Sequence, residues 1–228
     1  MSNLSVKKRN ISSVLKIIVI LSALIGTFMS VYADRHSFMG GLRMFMYFTI
    51  QSNIAIAAIC GRGLYLILKG KDVSMTWYII KFVGTVSITL TGVVFGLVLA
   101  PTLGPNAWVA RNVLTHLVVP LAAVLDFFVV APKARIQRKN VIFVIIPPLL
   151  YAAYAGIGYV SGWEFSDGIN YPYFFLNWGS PAGAFGFTGE LPFMGTFWWI
   201  VLLFMFLIGV GHCYLALADL LDKKCKCS

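Results

Sequence analysis

Two short polar islands interrupt long apolar stretches of this 228-residue chain. The first is Thr49-Ile50-Gln51-Ser52-Asn53, and the second runs from Asn112 to His116. A threonine hydroxyl is a weak nucleophile until a neighbouring base takes its proton. A neutral histidine serves as that base near pH 7. Thr49 and His116 are therefore the candidate nucleophile and base. Ser52, Asn53 and Asn112 are candidate oxyanion or pocket groups, because their hydroxyl and amide hydrogens can hold developing negative charge. Thr49, Ser52 and Asn53 stand at i, i+3 and i+4, so one helix face carries all three, while Gln51 points largely elsewhere. Asn112 and His116 also stand four apart. The same residue types have a plainer use: a threonine in a membrane helix often bonds its own backbone, and a lone histidine often bonds across a bundle.

The elements that must position these groups are membrane helices. The chain is 59% hydrophobic and 11% charged, against about 25% charged in a soluble domain. Hydrocarbon offers no water to polar side chains, so both islands must face protein. The predicted fold is an all-α membrane protein, a single domain over 1–228. Six spans are predicted at about 14–32, 42–68, 77–100, 107–130, 141–160 and 195–218, with a long loop at 161–194. Span one is long enough to cross as a retained helix rather than serve as a signal core. The net charge of +10 does not point to nucleic acid, since the basic residues cluster between spans. Those clusters precede span one and follow spans two, four and six, which predicts cytoplasmic N and C termini. Trp108, Trp163, Trp178, Trp198 and Trp199 form an aromatic belt on the opposite side. With span two starting near Leu42 and span four near Ala107, Thr49 and His116 lie about 10 and 13 Å down two parallel helices. That puts them in one layer.

Other features read as structural. Pro120 cannot donate to the carbonyl of His116, which predicts a kink beside the imidazole. Pro147-Pro148 predicts a bend in span five. Gly92-x-x-x-Gly96 reads as a close helix contact. Asp126 lies about 15 Å beyond His116, too far to orient it, and reads as an anchor near Lys133 and Arg135. His36 and His212 share no layer with His116, and Cys225-x-Cys227 lacks partners, so no metal site and no cofactor are expected.

Tyr47-Phe48-Thr49-Ile50-Gln51-Ser52-Asn53 resembles a signature of a bacterial integral-membrane family related to the animal androgen-induced gene and androgen-dependent TFPI-regulating proteins. So does Leu114-Thr115-His116-Leu117-Val118-Val119-Pro120, followed by Asp126. The animal members are six-span threonine hydrolases that cleave fatty acid esters of hydroxy fatty acids with one threonine in span two and one histidine in span four. By motif these correspond to Thr49 and His116. Tyr171-Pro172-Tyr173-Phe174-Phe175-Leu176-Asn177 resembles a feature of the bacterial branch, in a loop that does not align with the animal members. The resemblance implies a multi-pass protein of the bacterial cytoplasmic membrane that hydrolyses a lipid ester among membrane lipids; the Phe, Gly and Trp content of loop 161–194 separately suggests a cap on the interface. A small transporter or channel, or a non-catalytic lipid-binding protein, would use the same polar pocket. A transporter would need Asp126 on the inner half of its path.

Overall fold

The computed structural model describes residues 5–33, 35, 41–130 and 136–227. Six helices are long and apolar enough to cross a membrane: α1 (Val6–Ala33), α2 (Phe48–Leu68), α3 (Met75–Leu103), α4 (Ala110–Val129), α5 (Arg138–Val160) and α6 (Thr196–Lys223). They make the chain a multi-pass membrane protein. No β-strand occurs among the described residues.

The helix ends follow from local chemistry. Ser74 caps α3 by accepting from the Trp77 amide at 3.3 Å, which satisfies a first-turn donor. α2 starts six residues later than Leu42, because Gly41–Met46 forms a 3-10 helix instead. The predicted bend in α5 is realised as a change of helix type. Arg138–Ile145 is 3-10, and the α-helix begins at Ile146, directly ahead of Pro147 and Pro148. Prolines are tolerated there because first-turn amides have no intrahelical partner.

α3 and α4 each contain one π-helical turn, Phe95–Leu99 and Leu114–Val118. Each ends two residues before a proline, Pro101 or Pro120. A proline leaves the carbonyl four residues back without its usual donor. Those carbonyls belong to Leu97 and His116, both inside the π turns. The expected kink at Pro120 therefore appears as a wider turn carrying His116.

α1 to α4 pack around Val19, Ala23, Ile56, Cys60, Ile88 and Val119. A second core joins α3 and α4 to α5 and α6 through Phe82, Val86, Phe127, Val144 and Leu207. The connection between α5 and α6 folds back over one end of the bundle and buries Phe165, Phe175 and Leu176 against Tyr47 and Tyr151. Arg43, ahead of α2, holds this connection by ion pairs to Glu164 (3.0 Å) and Asp167. The pairing with Asp167 raises the Arg43 pKa further above its ordinary value.

Asp126 departs from expectation. Lys133, Arg135 and His36 lie outside the described residues, as do the side chains of Cys225 and Cys227. Asp126 is instead fully buried and paired with two lysines that the sequence analysis passed over. The Lys16 ammonium lies 2.7 and 2.8 Å from its two carboxylate oxygens. Lys81 bonds the second oxygen, and Ser12 donates to the first at 2.6 Å. Gly63 makes room for the Lys16 stem, since a Cβ there would stand 2.6 Å from its Cε.

Candidate functional site

Thr49 is the second residue of α2, and His116 lies six residues into α4. At about 1.5 Å per residue Thr49 sits about 1.5 Å and His116 about 9 Å from their helix starts, both shallower and less evenly matched than the sequence arithmetic gave, so it is their contact that shows a shared layer. The Thr49 hydroxyl and His116 Nε2 are 3.3 Å apart.

The histidine is held on three sides. Its Nδ1 lies 3.1 Å from the Asn112 carbonyl and 3.0 Å from Thr115 Oγ1. Thr115 Oγ1 donates its own hydrogen to the Arg111 carbonyl at 2.9 Å, so it presents lone pairs to the imidazole. Both neighbours of Nδ1 are thus acceptors, and a neutral ring must carry its hydrogen there. Nε2 is left as the acceptor facing Thr49. Phe95 stacks on the ring, with centroids 3.8 Å apart and planes 20° from parallel. Phe95 opens the π turn of α3, and His116 lies inside the π turn of α4; wider turns of this kind recur at functional sites. Gly92 lets the two helices meet at this level: a Cβ there would stand 2.9 Å from the His116 carbonyl oxygen and 3.2 Å from Pro120.

The remaining candidates are placed close by but are committed to structural bonds. Ser52 Oγ lies 2.8 Å from Thr91 Oγ1 and 3.0 Å from the Thr49 carbonyl. The Asn53 amide donates to the carbonyls of Thr49 (2.8 Å) and Thr115 (3.2 Å), tying α2 to α4. Asn112 donates to the Ala107 carbonyl at 2.8 Å. As oxyanion donors these three are corrected: Ser52 and Asn53 donate to backbone carbonyls, and Asn112 is tied to the Ala107 carbonyl. Asn112 serves the site through its carbonyl, by orienting His116.

One group near Thr49 was not singled out for a role. α2 has no side-chain cap, because the Tyr47 hydroxyl goes to the Phe165 carbonyl at 3.1 Å. Tyr173, from the folded connection, lines the same cavity as Thr49, and its phenol has the Thr49 side chain, the backbone of Phe48 and Thr49, and the Tyr151 side chain as its polar neighbours. Loss of hydration raises its pKa above the ordinary tyrosine value, so it is a neutral O–H donor. Its sequence motif was visible, but its partner is more than a hundred residues away, and no local pattern links them.

The cavity that Thr49 lines is small, about 50 Å³, and lies between α2, α3, α5, α6 and the connection. The rest of the wall is almost wholly apolar, with Phe48, Leu90, Val94, Phe175, Leu203 and Phe204 among its residues. Tyr173 is on the same wall. A hydroxyl, its base and a neutral donor therefore meet at the edge of a chamber suited to hydrocarbon. Comparison of the chain with family models, curated proteins and solved structures returned no match.

Proposed function

We propose that the chain is an intramembrane hydrolase of lipid esters, such as fatty acid esters of hydroxy fatty acids, with Thr49 as nucleophile and His116 as base. The resemblance of the two motifs to the threonine hydrolases supports the same reading. The observation that carries it is the 3.3 Å contact between Thr49 Oγ1 and an imidazole nitrogen whose only open role is to accept.

An acyl chain lies in the apolar cavity with its ester carbonyl at Thr49. His116 Nε2 takes the hydroxyl proton as Oγ1 attacks the carbonyl carbon, and a tetrahedral intermediate forms. When the bond to the leaving oxygen breaks, the proton passes from Nε2 to that oxygen and the alcohol departs. Water, deprotonated by the same nitrogen, attacks the threonyl ester and releases the fatty acid. The Asn112 carbonyl plays the part of the third group in a triad: it fixes the ring without being an acid. Asp126, which a transport path would need on its wall, is wholly buried and occupied by Lys16 and Lys81.

A fluorophosphonate probe tests this directly. Purified protein in lipid nanodiscs is expected to label on Thr49, found by peptide mass spectrometry, and to lose labelling in Thr49→Ala and His116→Ala. Undiminished ester turnover by Thr49→Ala would end the proposal.

A further inference from the structure

We infer that Tyr173, carried by the connection between α5 and α6, is a further catalytic residue: its hydroxyl is the electrophilic donor that holds the negative charge of the tetrahedral intermediate. The inference rests on the ester-hydrolase reading of Thr49 and His116 and adds the component that reading lacks.

An attacked ester carbonyl becomes an alkoxide, and a dry site must supply preformed donors to it. Of the side chains that sequence spacing offered for this, Ser52 and Asn53 donate to backbone carbonyls, and Asn112 donates one amide hydrogen to the Ala107 carbonyl. Tyr173 differs. Its phenol has the side chain and the backbone of Thr49, the backbone of Phe48 and the Tyr151 side chain as its polar neighbours. The amides of Phe48 and Thr49 belong to the first turn of α2, where they have no intrahelical acceptor. Turned to the phenol oxygen, they would leave the phenol hydrogen free for the cavity that Tyr173 and Thr49 both line. The alkoxide oxygen is bonded to the same carbon as Oγ1 once attack has occurred, so it forms beside this donor.

The ring is placed firmly. Tyr47 packs edge-on to it at 5.8 Å, Tyr151 lies at 6.1 Å, and Phe175 stacks on it at 5.1 Å with planes 4° apart. Neither neighbouring phenol is equivalent. Tyr47 donates to the Phe165 carbonyl and Tyr151 to the Met46 carbonyl, both at 3.1 Å.

The electron flow balances with Tyr173 as donor alone. The Thr49 proton goes to His116 Nε2, the Oγ1–C bond forms, and the carbonyl π pair moves onto oxygen. That oxygen accepts a hydrogen bond from Tyr173 without taking its proton. Collapse returns the pair, breaks the bond to the leaving oxygen and sends the proton from Nε2 to the alcohol. The connection thus acts as more than a cover: it supplies a side-chain donor to the intermediate.

The test compares full-length protein in nanodiscs with Thr49→Ala, Tyr173→Phe and Tyr151→Phe, using a 4-nitrophenyl acyl ester. Tyr173→Phe is expected to lower kcat about a hundredfold or more, with KM changed by less than about threefold. A trifluoromethyl ketone, which adds Thr49 Oγ1 to form a bound oxyanion, should lose affinity in parallel. Tyr151→Phe, which keeps the ring beside Tyr173 and leaves the Tyr173 hydroxyl in place, should lose far less kcat than Tyr173→Phe. If Tyr173→Phe does not fold, fluorinated tyrosines at position 173 keep the shape and change only the acidity. A kcat that varies with fluorination supports the inference, and one that does not vary overturns it. A Tyr173→Phe rate within about threefold of wild type, alongside an inactive Thr49→Ala, overturns the role of Tyr173 and leaves the hydrolase standing. An active Thr49→Ala removes both.

Discussion

Two polar clusters lie inside the same bundle, and they are built in opposite ways. Around Asp126 every strong group is spent: a carboxylate with no exposed surface accepts from Lys16, Lys81 and Ser12. Around Thr49 the bonds are longer and the groups are half-buried. One nitrogen is left as an acceptor, and the wall opens on a cavity. The charged cluster is the one that looks functional by the usual rule for ionisable groups in membranes. Its closure instead fits a clamp joining α1, α3 and α4. The uncharged cluster keeps unused bonding capacity, which is what a reaction needs. On the proposed reading, the placement of unsatisfied groups marks the reactive cluster better than formal charge does.

That contrast is a double dissociation, and mutations can break it. Thr49→Ala and His116→Ala should carry the largest effect. Turnover should fall on the order of a thousandfold or more, while thermal unfolding followed by tryptophan fluorescence stays close to wild type. Asp126→Ala should do the reverse. It strands two buried ammonium groups, and removing one partner of a buried pair costs about 3–5 kcal/mol. It should give a large drop in melting temperature, or no folded protein. A stable Asp126→Ala would mean that the cluster is not a clamp. Gly92→Ala blurs the line. Its Cβ would press on the His116 carbonyl and Pro120, and such overpacking costs about 1–3 kcal/mol. Activity should fall further than stability, because the strain lands on the residue that carries the base. Arg43→Ala should be the mildest. Its partners Glu164 and Asp167 are well exposed, so the effect on melting should be small and should shrink in high salt.

The sequence made some of this architecture plain and hid the rest for physical reasons. Six apolar runs, broken by basic clusters and turn residues, specify six helices because nothing else satisfies a backbone in hydrocarbon. Thr49 and His116 were legible because depth and facing are both local arithmetic. The start of α2 was misplaced because Leu42, Met44, Phe45 and Met46 extend the apolar run ahead of it, yet this stretch forms a 3-10 helix. Lys16 and Lys81 were passed over because one lysine among some twenty apolar residues leaves a run looking uninterrupted. Their significance lies in meeting Asp126 from two other helices. Ser52, Asn53 and Asn112 were put on the right faces, but facing does not say which carbonyl an amide will choose. Tyr173 belongs to a motif that was noticed, and its role depends on how a loop folds across the bundle end.

The π turn at Leu114–Val118 has a consequence for the chain's tolerance of length change. Such a turn holds one residue more than α geometry requires, so removing a single residue from it would let α4 run on as an unbroken α-helix. Everything ahead of the deletion would then rotate by about 100° about the axis, swinging Asn112 away from the imidazole. The shortened helix would be more regular and would still cross the bilayer. Apart from the carbonyl that Pro120 leaves without a donor, its backbone would be paired, and it would carry a histidine with nothing to aim it.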